Sequence, residues 1–490
     1  MPDLSISKVN EVFIRIQCTP DIAQELYEHF TFIVPNAKFS PAYKNKLWDG
    51  KIRLFHLRGH IVYAGLLDHI KSFANTRNYT YEIQPNVFDE LNLDKEYLIK
   101  FIDSLKLPVT IRDYQLDGLY YALQKKRAVL VSPTGSGKSL LIYLLTTFYL
   151  QQHAAKKVLV VVPTIGLVHQ MISDFISYGA DKNTLHGILA GEDKQTQASY
   201  VISTWQSIYK LPEKWYKQFD VVIGDEAHTF KAKSLVTIME NLKDCSYRFG
   251  LTGTLDGTNV NKLVLEGLFG SVKQVTTTSA LIENQTLADL QIKGITLFYP
   301  EDERRLFASK RYKYKDEIDF LIKHRQRNKL IAGLTATLQN NTLVLFNFVK
   351  HGQTLKHMIE TLCPERNVFF VYGEVEGKER EQIRLFAEQN KGTIIIASYK
   401  TFSTGINIQN LHNIVFASPS KSRIRVFQSI GRGLRRNVEK TSATLYDIAD
   451  DMSWKAYRNT TLTHFFDRVQ MYNQEKLNYK LLTVQLKGTS

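Results

Sequence analysis

Apolar residues in this chain come mainly as short, unbroken, β-branched runs separated by amphipathic stretches. Ala128–Val131, Val158–Val162, Tyr200–Ser203, Val221–Ile223 and Arg248–Leu251 make one such series. A strand buried on both faces reads as a continuous apolar run, and helical stretches between such runs read as crossovers. The series therefore predicts a parallel α/β sheet. The pattern restarts at Thr342–Phe346 and continues through Val368–Val371, Thr393–Ala397, Ile414–Ala417 and Ala443–Tyr446. Two tandem parallel-sheet domains are expected, over residues 108–275 and 328–450. Ahead of them, residues 1–107 mix alternating runs such as Val12–Ile16 with helical spacing over Ile22–Phe30, which reads as a small α+β domain. Residues 276–327 show many charges and no clear strand succession, and read as a partly helical connector. In the tail from 451 to 490, the leucines and aromatics of Thr461–Leu486 read as a helix docked on the second domain.

Chemistry collects where predicted strands end. Ser132-Pro-Thr-Gly-Ser-Gly-Lys-Ser139 lies between the run Ala128–Val131 and the apolar stretch Leu140–Leu145, the strand–loop–helix context of a phosphate-binding loop. In such a loop Pro133, Thr134, Gly135, Ser136 and Gly137 turn backbone N–H groups onto phosphate oxygens. Lys138 then reaches the β- and γ-phosphates, and the Ser139 hydroxyl ligates Mg²⁺. Ser132 stands at the position of the usual first glycine, so the flexibility comes from Gly135. Asp225-Glu-Ala-His228 follows the run Val221–Ile223, which places two carboxylates at a strand end: Asp225 to hold Mg²⁺, Glu226 to polarise a water for attack on the γ-phosphate. Gln428-Ser-Ile-Gly-Arg-Gly-Leu-Arg435 supplies guanidinium groups nearly three hundred residues after the loop, in the second predicted domain. An arginine brought from a second domain stabilises transition-state charge only when the two halves close, which ties hydrolysis to domain motion.

Upstream of the loop, the Gln115 amide can hydrogen-bond an adenine edge, and Arg112 or Tyr114 can stack on the base; a polar helix start would show the same residues. Thr252-Gly-Thr254 either bridges the carboxylates to the second domain or is a plain turn. Thr164 and Gln170, Thr204 with Trp205 and Gln206, and Thr404 also fall at strand ends, where hydroxyls and amides can contact a sugar–phosphate backbone without reading sequence. Gly405 beside Thr404 is assigned to the nucleotide. Each is ordinary strand-end chemistry alone; their order along the chain is the signal.

Charge narrows the partner. The formal net charge of +15 points to a polyanion, nucleic acid first. Most of the excess lies late, with 32 Lys and Arg against 19 Asp and Glu from residue 291 onward. The first domain is nearly neutral, yet Tyr43, Lys44, Lys46, Trp48, Lys51 and Arg53 interleave aromatics with cations, a combination that stacks on bases and neutralises phosphates. Asp49-Gly50 within it reads as a hairpin turn. The alternative is a hairpin whose Trp48 fills a small core and whose cations decorate the surface. No apolar run approaches a membrane span, and the start of the chain lacks a secretory signal pattern. Cys18, Cys245 and Cys363 are too scattered for a disulfide framework or a zinc site, which suits a reducing cytoplasm.

The motif series from Arg112-Asp-Tyr-Gln115 to Gln428–Arg435 resembles the superfamily-2 helicase core over some 330 residues. Ser203-Thr-Trp-Gln-Ser-Ile208, Phe402-Ser-Thr-Gly405, Ser429-Ile-Gly-Arg432 and the N-terminal Asn45–Leu54 extend the similarity to the phage recombination helicases of that superfamily. The resemblance implies two RecA-like domains and hydrolysis of ATP with Mg²⁺. It also implies remodelling of branched or forked DNA, with single strands and RNA–DNA hybrids as further partners, by a monomer in the cytoplasm of a phage-infected bacterium. It carries the arginine-finger role to Arg432 and Arg435, and γ-phosphate sensing to Gln428. An RNA helicase and a DNA-structure binding protein using ATP as a switch stay open as alternatives. The motor of a restriction complex is disfavoured, because no nuclease carboxylate cluster stands out beside the core.

Overall fold

Every one of the apolar runs is a strand in the computed structural model. The structure describes residues 2–35, 37–85, 87, 89–189, 191, 193–255, 258–310, 312–405 (403–405 by backbone only), 408, 410–419, 431, 434 and 440–487. The chain divides into two compact units, Met1–Ser132 with Gly137–Val275, and Pro133–Ser136 with Thr276–Ser490.

The first unit opens with β1 (Leu4–Lys8), β2 (Phe13–Gln17), β3 (Thr31–Ile33), β4 (Lys51–Arg53), β5 (Phe55–His56), β6 (Ile61–Tyr63) and β7 (Tyr81–Ile83). Five of these form a mixed sheet in the order β5-β6-β2-β1-β7, and β3 pairs with β4 alone. The helices Pro20–His29 and Leu67–Thr76 bury Leu26, Ile70 and Phe73 with Ile6 and Ile14 of the sheet. This is the expected α+β region. Its core does not close on itself: the same cluster continues into Val129, Val222 and Phe269 of the following α/β part. The contact is backbone on backbone, since a Cβ on Gly65 would lie 2.0 Å from the Glu266 carbonyl oxygen.

The α/β part contains β8 (Arg127–Val131), β9 (Val158–Val162), β10 (Leu185–Ile188), β11 (Tyr200–Thr204), β12 (Val221–Asp225), β13 (Tyr247–Thr252) and β14 (Val272–Gln274). They form one parallel sheet ordered β10-β11-β9-β12-β13-β8-β14. The helix Lys138–Gln152 is apolar nearly all round because it is buried from Leu140 to Tyr149. The helix Lys95–Ser104, inside the block expected to be separate, packs Phe101 edge-on against Phe148 of that helix (centroids 5.1 Å).

The second unit holds β15 (Asp289–Phe298), β16 (Thr342–Phe346), β17 (Val368–Val371), β18 (Ile394–Ser398), β19 (Asn413–Phe416), β20 (Ser442–Asp451) and β21 (Tyr479–Gln485), parallel throughout and ordered β17-β18-β16-β19-β20-β15-β21. Three expectations need correction here. The presumed connector contains β15, a ten-residue strand paired on both sides; Gln291 and Lys293 interrupt its apolar residues, so it lacks the continuous run that marked the other strands. The tail forms the docking helix Thr460–Gln474, tied to β20 by the buried Arg468–Asp447 ion pair (2.8 Å), but it continues into the edge strand β21. Finally, Asp49-Gly50 does not close a tight hairpin: β4 pairs with β3 across residues 34–50, and the intervening stretch contains a short helix, Pro41–Lys44, started by Pro41. Among the described residues no helix is long and apolar enough to cross a membrane.

Candidate nucleotide site and nucleic-acid face

Register places the motifs of the first unit on one rim. Val131 at the end of β8 lies opposite Thr252 of β13, Leu251 opposite Asp225 of β12, and Val162 of β9 opposite Thr204 of β11. The phosphate loop, Thr252-Gly-Thr254, Asp225-Glu226, Thr164 and Thr204–Gln206 therefore all leave the C-terminal edge of the sheet, where open parallel sheets bind their ligands.

The loop is built on positive φ. Gly135 (φ +87°) and Gly137 (φ +82°) take left-handed conformations, and a Cβ on Gly137 would sit 2.3 Å from Gln115 Nε2. Within the loop Ser136 Oγ donates to the Pro133 carbonyl (2.7 Å), and Lys138 Nζ donates to the Ser132 carbonyl (3.2 Å). The helix starts at Lys138, so its first free N–H groups face the loop. Thr134 belongs to the same turn. Gln115 is buried; its Oε1 accepts from the Arg112 N–H (2.9 Å) and its Nε2 donates to the Gly137 carbonyl (3.4 Å). The expected adenine reader thus also braces the phosphate loop. Arg112 is exposed and donates to the Tyr114 hydroxyl (2.9 Å).

Asp225 ends β12 fully inside. Burial and the adjacent Glu226 carboxylate push its carboxyl up to about 6, while the Lys138 ammonium pulls the other way. A buried carboxylate in that state gains from a nearby divalent cation, and a carboxylate with the Ser139 hydroxyl is a hard-oxygen donor set suited to Mg²⁺. Glu226 takes an unusual left-handed backbone for a non-glycine residue (φ +52°), a cost of about 1–3 kcal/mol that persists at functional sites when neighbours enforce it. They do so here. The Thr252 hydroxyl donates to the Thr254 carbonyl (2.9 Å) and so accepts from His228 Nδ1 (2.8 Å), which places a proton on Nδ1 and leaves it 3.3 Å from Glu226 Oε2. Thr252 and His228 are thus hydrogen-bonded to each other beside the Glu226 carboxylate, an arrangement that the tripeptide alone did not specify.

On the same rim, Thr164 caps the helix Ile165–Ser177 by accepting from the Leu167 N–H (3.4 Å), and Gln170 is exposed on that helix. Thr204 is buried and shares a hydrogen bond with Ser207 (2.9 Å), Gln206 is exposed, and Trp205 packs edge-on against Tyr209 (centroids 5.7 Å). Thr404 and Gly405 end the helix Tyr399–Gly405. Gln428, Arg432 and Arg435 lie outside the described residues. In the N-terminal region Lys44, Lys46 and Lys51 are exposed beside Tyr43, Phe39 and Leu47, the last 81% exposed. Trp48 is half-buried and donates to the Lys51 carbonyl (2.9 Å), while Arg53 bonds Asp49 and the Tyr27 hydroxyl (2.6 Å). One participant had no signal in the sequence: the Tyr178 hydroxyl lies 3.1 Å from Ser139 Oγ. A tyrosine thirty-nine positions from its partner matches no motif, and only the crossing of two helices joins them.

Two parallel sheets with this rim define a superfamily-2 helicase. Residues 88–257 match the model for the Type III restriction enzyme res subunit, and 325–437 match the helicase conserved C-terminal domain. Residues 3–84 match the N-terminal domain of the DNA helicase UvsW. The chain is 34% identical over 96% of its length to the ATP-dependent DNA helicase uvsW of Enterobacteria phage T4, covering 98% of that protein. The crystal structure of T4 UvsW aligns over 99% of this chain and 100% of its own, with 32% identity and a TM-score of 0.52. A DNA 3′-5′ translocase, XPB2 of Sulfurisphaera tokodaii, is 24% identical over 70% of this chain and 84% of its own. The chain belongs to the UvsW family and is an ATP-dependent DNA helicase.

Proposed function

We propose that this helicase uses Mg²⁺-ATP hydrolysis to remodel branched DNA: migrating Holliday junctions, regressing forks, unwinding R-loops and annealing strands during phage recombination, repair and replication. The observation that carries this reading is the Tyr43–Arg53 segment, an exposed array of lysines and aromatics in a region outside both parallel sheets. A motor gripping only a single strand has no use for it, whereas a junction presents a second duplex arm whose phosphates such an array can neutralise.

In this reading residues 1–107 hold the branch, 108–275 bind nucleotide, 276–327 contribute β15 to the same sheet as 328–450, which bring Arg432 and Arg435 to the γ-phosphate, and 451–490 brace that sheet. Lys138 neutralises phosphate charge, Ser139 and Asp225 hold Mg²⁺, and Glu226 takes a proton from the attacking water. When bound there, Mg²⁺ would supply charge neutralisation to the phosphates. Gln428 senses the γ-phosphate. Thr164, Gln170, Thr204, Gln206 and Thr404 grip a strand backbone. The protein acts as a monomer in the cytoplasm of the infected host.

Lys138→Ala tested on a synthetic four-way junction decides the matter. Loss of ATP-dependent strand separation with junction affinity retained is the expected result. Strand separation persisting in the variant contradicts the site.

A further inference from the structure

A serine hydroxyl that ligates Mg²⁺ through one lone pair still carries a proton, and that proton must point away from the metal and find an acceptor. The hydrogen-bond partner of Ser139 Oγ is the Tyr178 hydroxyl at 3.1 Å, and neither oxygen has another among the described residues. Either atom can donate with no metal bound. With Mg²⁺ on Ser139 only one direction is compatible, Ser139 to Tyr178.

Tyr178 is held for this task from two sides. It is the C-cap residue of the helix Ile165–Ser177, whose end is closed by two reversed bonds, Gly179 N–H to the Ile176 carbonyl (3.0 Å) and Ala180 N–H to the Phe175 carbonyl (2.9 Å), with Gly179 at φ +107°. That closure fixes the Tyr178 backbone. Its ring leans on Tyr143 (centroids 5.6 Å), which itself packs edge-on against Phe175 (5.3 Å). A phenol anchored by backbone and by ring keeps its oxygen in place with little freedom left to lose.

We propose that Tyr178 is a positioning residue that receives the Ser139 proton and thereby aims the Ser139 lone pair at Mg²⁺. This rests on the reading of Ser139 as a metal ligand. Groups that orient metal ligands in this way are worth about 10–100-fold in metal affinity.

The test is Tyr178→Phe in the full chain, which keeps the ring and removes the oxygen. Mg²⁺ is titrated calorimetrically into the protein–ADP complex for wild type, Tyr178→Phe, Ser139→Ala and the double variant, with melting temperature and Mg²⁺-free ADP affinity measured alongside. Tyr178→Phe is expected to weaken Mg²⁺ about 10-fold with Mg²⁺-free ADP affinity unchanged, and to do nothing further in the Ser139→Ala background. Unaltered Mg²⁺ affinity in Tyr178→Phe while Ser139→Ala weakens it overturns the role of Tyr178 alone. Equal losses from Tyr178→Phe in both backgrounds, or a loss matched by lower melting temperature and weaker Mg²⁺-free ADP binding, overturn it as well. Unaltered affinity in Ser139→Ala overturns the metal-ligand reading and the inference with it.

Discussion

Glu226→Gln separates the chemistry of the site from its architecture. Gln matches Glu in volume, and its amide can occupy the same place beside the His228 imidazole, whose Nδ1 lies 3.3 Å from Glu226 Oε2. The left-handed backbone at residue 226 and the bond from the Glu226 N–H to Asp225 Oδ1 (2.9 Å) do not depend on side-chain charge. The fold should therefore change by no more than about 0.5 kcal/mol. What disappears is the carboxylate proposed as the base. A positioned general base is typically worth about 10²–10⁴ in rate, or about 2.7–5.4 kcal/mol of barrier. The ground state moves the other way. After burial itself, the Glu226 carboxylate is the largest influence raising the Asp225 carboxyl, so neutralising it makes Asp225 ionise more readily. Mg²⁺-ATP should bind as well as before or tighter. DNA-stimulated ATPase and fluorescent-nucleotide binding on the same preparations read both effects. A kcat reduced at least about 100-fold with equal or stronger nucleotide affinity is expected. A kcat within about threefold of wild type, or affinity lost in step with rate, refutes the assignment of Glu226 as the base.

Arg435→Ala should lower the maximal ATPase rate by ~10³–10⁵ with little change in ATP affinity, and Arg432→Ala likewise if both guanidiniums reach the phosphates; normal hydrolysis places this motif elsewhere. Replacing Lys44, Lys46 and Lys51 by Ala should weaken fork binding and flatten its salt dependence by about three units of slope, near 0.9 per lost phosphate contact, whereas adding Arg53→Ala should change little more because Arg53 is held by Asp49 and Tyr27. Fork titrations from low to moderate salt check this, and an unaltered slope in a folded variant assigns the lysines to solvent. Acid sensitivity should trace partly to His351, buried between Asn328 and Ser418 (3.1 Å each), whose imidazole burial pushes down to about 3. As pH falls below about 6.5 the unfolded chain takes up a proton that the folded state refuses, so stability is lost at up to about 1.4 kcal/mol per pH unit until pH nears 3. Urea unfolding at pH 7 and pH 5 should show that loss in wild type and a smaller one in His351→Gln.

The sequence made the sheets legible because a parallel strand buried on both faces has to be apolar throughout, as Val158–Val162 and Thr342–Phe346 are. It concealed β15, whose Gln291 and Lys293 break that rule, and β21, an edge strand with Leu481 and Leu482 exposed that looked like the end of a helix. It placed Lys138, Asp225 and Glu226 on one rim because Asp225 and Glu226 stand at a strand end and Lys138 closes the loop that leaves another. It could not place the partners that lie beside them. His228–Thr252 and Ser139–Tyr178 are contacts between elements far apart in the chain, set by strand register and helix crossing rather than by local pattern. The N-terminal region failed as a separate block for a related reason: Gly65 signals flexibility in a sequence, and here it marks the point where one backbone lies against another.

The claim that this motor works on branched DNA is tested most directly by ATPase stimulation at equal nucleotide concentration with a fork, a four-way junction, linear duplex, single-stranded DNA and RNA. The expected order has the fork and junction above duplex and single strand, RNA weakest, and the branch preference reduced in the Lys44, Lys46 and Lys51 triple alanine variant while single-strand stimulation is kept. Equal stimulation by linear single strands and branches, or RNA above every DNA, contradicts it.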